Sequence, residues 1–260
     1  MTNVPMTKVV VIGGSGRLGG AAAGGVADAS DLDLVAVVSR SGVVGAEIGS
    51  TPVVGALDEL DPSGVDVIVD MTVADAARDH LAWAAQHGAH AVVGVTGFSD
   101  AELDGFAAAF DHSHCLVVPN FAIGAVLMMR LAELAAPWFD TVEVVEMHHD
   151  GKRDAPSGTA RSTAQRIAAA SSDWAADPTE DEVVPGVRGG RVDGVPVHSL
   201  RMRGMVAHQE VVFGTTGQAL TIRHDTTHHS SFVPGVLASV RAVESLGPGL
   251  TVGLDAVMGI

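Results

Sequence analysis

The feature that most constrains the fold is a run at residues 8–12, apolar after one initial lysine, that leads directly into a glycine-rich segment at residues 13–20. A short apolar run of this kind is typical of a strand buried on both faces of a parallel sheet. The glycines fit the spacing G-x-G-x-x-G from Gly14 and G-x-x-G-x-x-G from Gly13. Both spacings allow a tight turn, a close backbone approach to a pyrophosphate and a helix N-terminus that faces it. The segment therefore predicts a strand, a phosphate-binding turn and a helix over residues 20–27.

The alternation of strand and helix continues through the first half of the chain. Apolar runs predict further strands at residues 32–38, 51–54, 65–69, 90–93 and 112–118. Helical spacing predicts helices at residues 74–87, closed by Gly88, at 99–110, opened by a Ser99–Glu102 capping box, and at 124–136, stopped by Pro137. Strands that alternate with helices in this way form a parallel sheet with helices on both faces. The predicted class is α/β, with a Rossmann-like doubly wound parallel sheet.

The end of the second predicted strand indicates which cofactor the turn accepts. NAD-binding sites carry an acidic residue about 20 positions after the glycines, where it binds the ribose 2′-hydroxyl. Here that place holds Ser39, followed by Arg40 and Ser41. No carboxylate repels a 2′-phosphate, and the guanidinium and two hydroxyls can bind it. The sequence therefore predicts that NADPH is preferred over NADH, with both cofactors accepted.

Composition limits the class of protein and its partners. The chain has 260 residues, 47% of them hydrophobic, which is ample for a packed core. The formal charge of −16 argues against nucleic acid as a partner. The single cysteine, Cys115, lies among apolar residues, excludes a disulfide framework and fits a reducing compartment. No run approaches a membrane span and no signal peptide is visible, so a cytoplasmic location without membrane partners is expected.

The second half of the chain has a different organisation, because strands follow one another with few helices between them. Strands are predicted at residues 142–147, 195–203, 207–214 and 218–225, a helix at 160–170, an exposed loop at 171–192, and a last helix at 236–246 before a glycine-rich tail. This pattern predicts an α+β layer with a mixed or antiparallel sheet. One strongly apolar sheet face is expected from Val206, Val211, Val212, Phe213, Leu220 and Ile222.

The strand at residues 142–147 ends in a cluster of reactive groups. It runs into His148 and His149, an Asp-Gly turn and Lys152. Ser157-Gly158-Thr159 then opens a helix, whose N-terminus can hold a carboxylate or phosphate. Each feature alone is commonly an ordinary turn or a surface histidine. Their order predicts an anion site beside a group that gives or takes a proton.

The segment from Glu143 to Thr159 reads E-x-x-E-x-H-H-x-x-K-x-D-A-P-S-G-T. It resembles the signature of the 4-hydroxy-tetrahydrodipicolinate reductase (dihydrodipicolinate reductase) family, pyridine-nucleotide enzymes of the diaminopimelate and lysine route. The glycine turn, the G-V-T-G-F segment that begins at Gly94 and the P-N-F segment that begins at Pro119 extend the likeness over nearly the whole chain. Three positions depart from the family pattern, namely Val95 for threonine, Ala122 for serine and His229 for an arginine that helps to bind substrate.

The resemblance implies a role for each matching residue. His148 is expected to be the general acid, assisted by Lys152. A carboxylate of a cyclic dicarboxylate substrate is expected to lie on Lys152, His149 and the backbone of Ser157, Gly158 and Thr159. The residues expected to bind the cofactor follow the glycine turn and the strand ends: Gly13, Gly16, Arg17, Leu18, Gly19, Ser39, Arg40, Thr72, Gly94, Thr96, Val118, Pro119, Asn120 and Phe121.

The resemblance also implies that different parts of the chain have different functions. Residues 1–121 and 231–260 are expected to bind the dinucleotide. Residues 122–230 are expected to bind substrate and to form a homotetramer through their sheet.

Three other functions fit parts of the sequence. A different dehydrogenase would explain the first 120 residues but has no need of the His-His-x-x-Lys and Ser-Gly-Thr segments. A non-catalytic NADPH sensor would explain the cofactor motifs and the His229 departure. A serine hydrolase that uses Ser157, His148 and Asp154 is disfavoured, because the sequence has no strand–serine–helix elbow of the G-x-S-x-G type. A metal site at His208, His224, His228 and His229 is disfavoured, because their spacing matches no closed site and no cysteine assists.

Overall fold

A computed structural model describes residues 6–40, 45, 47–48 and 50–260 of the chain. The chain divides into two compact units. The first contains the described residues up to Ile123 together with His229–Ile260, and the second contains Gly124–His228.

The first unit opens with alternating strands and helices. Its elements are β1 (Thr7–Ile12), α1 (Arg17–Asp28), β2 (Leu32–Val38), β3 (Glu47–Ile48), β4 (Thr51–Val54), β5 (Val67–Asp70), α2 (Ala74–His87), β6 (His90–Val93), α3 (Asp100–Ala109) and β7 (His114–Val117). The boundaries of β2, β4, α2 and β6 agree with the prediction, and Ser99 and Glu102 form the predicted capping box on α3.

The second unit is dominated by consecutive strands. Its elements are α4 (Ile123–Ala135), whose first residue belongs to the first unit, β8 (Thr141–His148), α5 (Gly158–Ala170), β9 (Gly190–Val192), β10 (Val195–Arg201), β11 (Ala207–Thr215) and β12 (Gln218–Thr226). The strands are ordered β12-β11-β8-β10-β9, and only β8 and β10 pair in parallel. The predicted mixed sheet is therefore confirmed.

The chain then adds α6 (Val233–Ala242), β13 (Gly249–Val252) and α7 (Asp255–Met258) to the first unit. Short 3-10 turns occupy Leu57–Glu59, Pro62–Gly64, Ala136–Trp138, His229–Phe232 and Val243–Leu246. The sheet of this unit is ordered β13-β7-β6-β5-β1-β2-β4-β3 and is parallel except between β3 and β4. The predicted doubly wound parallel class is confirmed.

The strand order places a ligand crevice in the first unit. β1 lies between β2 and β5, so the chain leaves β1 in one direction and later continues on its other side. In open α/β sheets, ligands bind outside the carboxyl ends of the strands at this reversal. Val9, Val10 and Val11 are fully buried, as expected for a central strand.

The structure adds to or corrects several predictions about local structure. The glycine-rich tail contains a strand that was not predicted, β13, which pairs with β7 in parallel. The loop expected up to residue 192 ends in β9, which pairs with β10. The last helix begins at Val233 rather than at residue 236, since Pro234 is tolerated in a first helical turn.

The expected apolar sheet face also requires correction. Strand alternation puts Val211 and Phe213 on the face that packs against α5, where both are fully buried. Val212 lies between these two residues and therefore points to the opposite face, where it pairs in register with Glu143 and Thr221. The strongly apolar side of this sheet is thus the helix-covered side.

The glycine turn gives a stability prediction. A Cβ atom on Gly19 would lie 2.2 Å from the Gly13 carbonyl oxygen, whereas one on Gly24, in the same helix, would meet nothing within 4 Å. Gly19→Ala is expected to destabilise the protein by about 1–3 kcal/mol, because the backbone must move. Gly24→Ala is expected to stabilise it by up to about 1 kcal/mol through helix propensity.

Chemical denaturation of both variants provides the measurement. Equal free energies of unfolding for Gly19→Ala and the wild type would show that the turn is not closely packed.

Candidate active site

The end of β8 carries a buried carboxylate beside a histidine. Glu146 and His148 are two residues apart, so their side chains share one face of the strand. The Glu146 side chain is fully buried, and the His148 side chain is 16% exposed. His148 Nδ1 lies 2.5 Å from Glu146 Oε2. The histidine therefore has one ring nitrogen bound and the other available to a ligand.

A second strand supplies the positive charge that balances this carboxylate. In the parallel register, Arg201 of β10 pairs with His148. Arg201 Nη1 donates to Glu146 Oε2 at 2.9 Å and Arg201 Nη2 donates to Glu146 Oε1 at 2.8 Å. This is the bidentate geometry that makes guanidinium–carboxylate pairs strong.

Glu146 is held in its ionised form. Burial alone would raise its pKa, but hydrogen bonds from His148, Arg201 and Ser199 outweigh burial and lower the pKa of Glu146 to about 2. A carboxylate of this kind accepts hydrogen bonds and donates none.

The loop after β8 brings Lys152 back to the strand end. Its backbone N–H donates to the His149 carbonyl oxygen at 3.1 Å and closes a turn. Lys152 Nζ contacts both carboxylate oxygens of Asp154 at 2.9 Å, and this pairing lowers the pKa of Asp154. The Lys152 side chain is 22% exposed, so the cation is accessible but already positioned by a carboxylate. His149 is exposed on the same turn.

The N-terminus of α5 lies on the same network. Ser157 is buried, its N–H donates to Glu146 Oε1 at 3.2 Å, and its Oγ accepts from the Ala160 N–H at 3.1 Å. Ser157 therefore caps the helix and links it to Glu146. Gly158 is exposed and Thr159 half-buried in the first turn, where backbone N–H groups face the helix end. One carboxylate thus joins His148, Arg201 and the start of a potential anion site.

In the first unit, the glycine turn has the geometry of a phosphate cradle. Gly13 has φ +86°, which favours glycine, and its carbonyl oxygen accepts from the Gly16 N–H at 2.9 Å. Gly16 precedes α1 without any side-chain cap, and Arg17 and Leu18 begin the helix. A Cβ atom on Gly19 would collide with the turn. The segment therefore fits a pyrophosphate at the start of α1.

A pocket of about 390 Å³ adjoins this turn. The structure brings four of the predicted cofactor residues to its wall, namely Gly13, Ser39, Arg40 and Thr72. Ser41 lies outside the described residues. Asp58, Asp79, His80 and Trp83 also line the pocket and were not predicted.

His80 is held against this pocket by a buried acid. Asp70 is fully buried, and its Oδ2 lies 2.7 Å from His80 Nδ1. Its Oδ1 accepts from the Thr72 N–H at 2.8 Å and from Thr72 Oγ1 at 2.6 Å. No sequence pattern marks this contact, because it joins a strand end to a helix ten residues later.

Backbone hydrogen bonds align the loops along the carboxyl edge of the sheet. The Gly94 N–H donates to the Asp70 carbonyl oxygen at 2.8 Å, and the Val118 N–H donates to that of Val93 at 2.8 Å. Each loop therefore begins level with its neighbouring strand.

The predicted cofactor residues from Gly94 to Phe121 lie on these loops, outside the 390 Å³ pocket. Thr96 and Pro119 are exposed, whereas Val118 and Phe121 are buried. Asn120 Oδ1 accepts from the Ala122 N–H and shapes its turn. Val118 and Phe121 can therefore serve a ligand only through their backbone or by packing beneath it.

Two of the four histidines at which a metal site is disfavoured make other contacts. His208 Nδ1 lies 2.6 Å from Asp225 Oδ1, and the His229 ring stacks on Phe232 with centroids 6.4 Å apart. Among the residues that the structure describes, no three metal-ligating side chains gather. Nor does the described part of the chain contain a helix long and apolar enough to cross a membrane.

Comparison with known families decides the assignment. The model for the dihydrodipicolinate reductase N-terminus matches residues 7–121, and that for its C-terminus matches residues 124–258. The chain belongs to the dihydrodipicolinate reductase family. The predicted enzyme class and pathway are thereby confirmed: the chain is an NAD(P)H-dependent oxidoreductase of diaminopimelate and lysine biosynthesis.

Individual members of the reductase family match this chain over almost its full length. The 4-hydroxy-tetrahydrodipicolinate reductase of Cutibacterium acnes is 47% identical over 264 residues, which span 98% of this chain and 100% of the relative. That of Corynebacterium aurimucosum is 48% identical over 259 residues, spanning 97% and 99%. A dipicolinate-bound dihydrodipicolinate reductase from Paenisporosarcina sp. TG-14 has a TM-score of 0.87 at 38% identity and covers 96% of this chain and 99% of its own.

More distant structures share the fold alone. An amine dehydrogenase from Mycobacterium smegmatis has a TM-score of 0.67 at 15% identity, over 97% of this chain and 96% of its own.

Proposed function

We propose that the chain reduces 4-hydroxy-tetrahydrodipicolinate to tetrahydrodipicolinate, with the proton supplied by His148. The observation that carries this proposal is the strand-end network of Glu146 and His148, followed by Lys152 and the start of α5. The reaction replaces a ring hydroxyl by hydrogen, so one hydride and one proton enter and water leaves. The reduced nicotinamide, when bound, supplies the hydride.

His148 is suited to deliver the proton. Ionised Glu146 accepts the hydrogen bond from Nδ1, so Nε2 is the nitrogen that can face a substrate. An imidazole can act as a general acid through this nitrogen.

Lys152, His149 and the first turn of α5 bind a carboxylate of the substrate in this proposal. Lys152 already holds the Asp154 carboxylate, which shows that its ammonium can donate to both oxygens of a carboxylate at 2.9 Å. Gly158 and Thr159 contribute the positive end of the helix, and Ser157 contributes the cap that fixes it. The dicarboxylate thus meets a local positive region on a chain whose net charge is −16.

The cofactor belongs to the first unit. The turn from Gly13 to Gly16 is packed too closely for a Cβ atom on Gly13 or Gly14, and Arg40 lines the same pocket as Gly13. The loops that carry Gly94, Thr96 and residues 118–121 adjoin the nicotinamide in this proposal. We propose that NADPH is preferred, because Arg40 can pair with a 2′-phosphate.

The cofactor preference leads to a second prediction. Arg40→Ala is expected to lower kcat/KM for NADPH about tenfold while changing the value for NADH less than about twofold. Asp58 and Asp79 line the same pocket and repel a phosphate, so the wild-type preference should be modest. Asp79→Asn should therefore raise the ratio of NADPH to NADH specificity. Equal specificity constants for the two cofactors in the wild type would contradict the preference.

The second unit also provides the surface that we propose for self-association. α5 covers one face of its sheet, and the opposite face carries half-buried residues such as Val145, Met147 and Val212. The resemblance implies a homotetramer, and this face opposite α5 is its proposed contact.

A coupled assay tests the function. A synthase makes the substrate in place from pyruvate and aspartate semialdehyde, and NADPH or NADH oxidation is followed by absorbance. Oxidation that requires both the synthase and this chain is the expected result. No oxidation above the rate without the chain would contradict the proposal.

A further inference from the structure

We infer that Glu146 is a positioning residue that fixes which ring nitrogen of His148 carries the transferable proton. The inference rests on the proposed function for its consequence in catalysis. Its structural part, the tautomer of His148, can be measured without substrate.

The Glu146 carboxylate contacts His148 and also the groups that hold it in place. Its Oε2 meets His148 Nδ1 and Arg201 Nη1, and its Oε1 meets Arg201 Nη2 and the Ser157 N–H. Every one of these partners lies in the second unit. The side chain has no exposed surface, so no water replaces a lost partner.

The chemistry of the carboxylate then dictates the tautomer. Ionised Glu146 can only accept, and Arg201 and the Ser157 N–H can only donate. His148 Nδ1 must therefore carry a hydrogen in both the neutral and the protonated ring. Nε2 is left as the site that gains and loses the proton, and Nε2 points away from the carboxylate. Without Glu146, the two neutral tautomers would compete and part of the population would present the wrong nitrogen.

Arg201 sets how strongly the carboxylate acts. Its guanidinium neutralises Glu146, and its Nη2 also donates to the Asp154 carbonyl oxygen at 2.6 Å. The pair stabilises a protonated His148 less than a lone carboxylate would. Several other charged groups on the elements around His148 form pairs of their own: Lys152 with Asp154, Arg203 with Asp150, and His208 with Asp225. Arg153 and Arg161 are exposed to solvent.

The test compares Glu146→Gln with a matched control on the same strand. Glu143 also accepts from an arginine and a histidine, Arg188 Nη2 and His198 Nε2, both at 2.5 Å. It lies on the opposite face, away from His148. Glu146→Gln is expected to lower kcat about tenfold or more, whereas Glu143→Gln should change kcat less than about twofold.

NMR of isotope-labelled histidine provides a measurement that would stay unchanged if Glu146 had only a structural role. The signal of His148, identified by its loss in His148→Gln, should show hydrogen on Nδ1 in the wild type and in Glu143→Gln. In Glu146→Gln a substantial fraction should carry hydrogen on Nε2 instead. An unchanged tautomer in folded Glu146→Gln would overturn the inference.

Arg201→Gln keeps the inference testable if Glu146→Gln does not fold. This variant leaves the Glu146 charge uncompensated, so the protonated form of His148 is stabilised more strongly. The basic limb of the pH profile of kcat should therefore move to higher pH. Loss of stability alone cannot produce this direction, and a limb that stays or moves lower would overturn the inference. If the wild type shows no turnover, the proposed function fails, but the tautomer measurement still decides the role of Glu146.

Discussion

His148→Gln is expected to lower kcat by about 10²–10³ while leaving KM nearly unchanged. Glutamine is similar in length and polarity, so substrate contacts largely persist, but an amide cannot release a proton at neutral pH. The Glu146 carboxylate keeps a donor in reach, because the glutamine NH2 can replace the bond from Nδ1. Binding and stability should therefore survive while the proton step does not. Steady-state kinetics with the coupled assay measures the separation of kcat from KM.

The matched control for this variant is His208→Gln. His208 is also a strand histidine paired with a carboxylate, Asp225, and its side chain is 10% exposed. Its loss should change kcat less than about twofold. If both histidine variants reduce kcat alike, the effect is structural, and His148 is not the acid.

Lys152→Ala is expected to lower kcat/KM about 100-fold or more, chiefly through weaker substrate binding. The ammonium contributes a full positive charge to the proposed carboxylate site, whereas the helix end alone carries only about half a charge. Removal of Lys152 also leaves Asp154 without its partner, and that carboxylate then repels the substrate. The same assay over a range of substrate concentrations gives kcat/KM.

Arg153→Ala is the control for charge in this loop. Arg153 is the next residue, is exposed, and has the same charge. Its removal should change kcat/KM less than about threefold. A loss as large as that of Lys152→Ala would mean that general electrostatic attraction binds the substrate, with no specific contact.

Much of the first unit could be predicted because its signals are local. The C-terminal end of α2 is marked by Gly88, which takes φ +69°, and the start of α3 is marked by the Ser99–Glu102 capping box. Both depend on neighbouring residues that can be read directly from the chain. The short strand β13 was missed because glycines at both of its ends hide its pattern, and only pairing with β7 makes it a strand.

The candidate site was predicted in part for the same reason. His148, Lys152 and the Ser157 cap lie within ten residues, so one motif contains them. Arg201 was missed because it meets Glu146 across 55 positions of sequence. The glutamate of the motif was visible, but its role depends on that distant guanidinium.

His229, which stands where the family pattern has arginine, makes a local contact in the structure. Its ring stacks on Phe232 within the 3-10 turn His229–Phe232. A neutral imidazole binds a carboxylate less tightly than a bidentate guanidinium. Under the proposed function, we therefore expect substrate affinity to depend more on Lys152 than the family pattern implies.

Transfer of the hydride itself tests the central claim most directly. The wild type is mixed with NADPH that carries deuterium at the transferable position and with substrate generated by the synthase, and the product is analysed by mass spectrometry. One deuterium in tetrahydrodipicolinate, greatly reduced with Lys152→Ala, is the predicted result. Tight NADPH binding without any deuterium in the product would contradict the account and would indicate a nucleotide sensor.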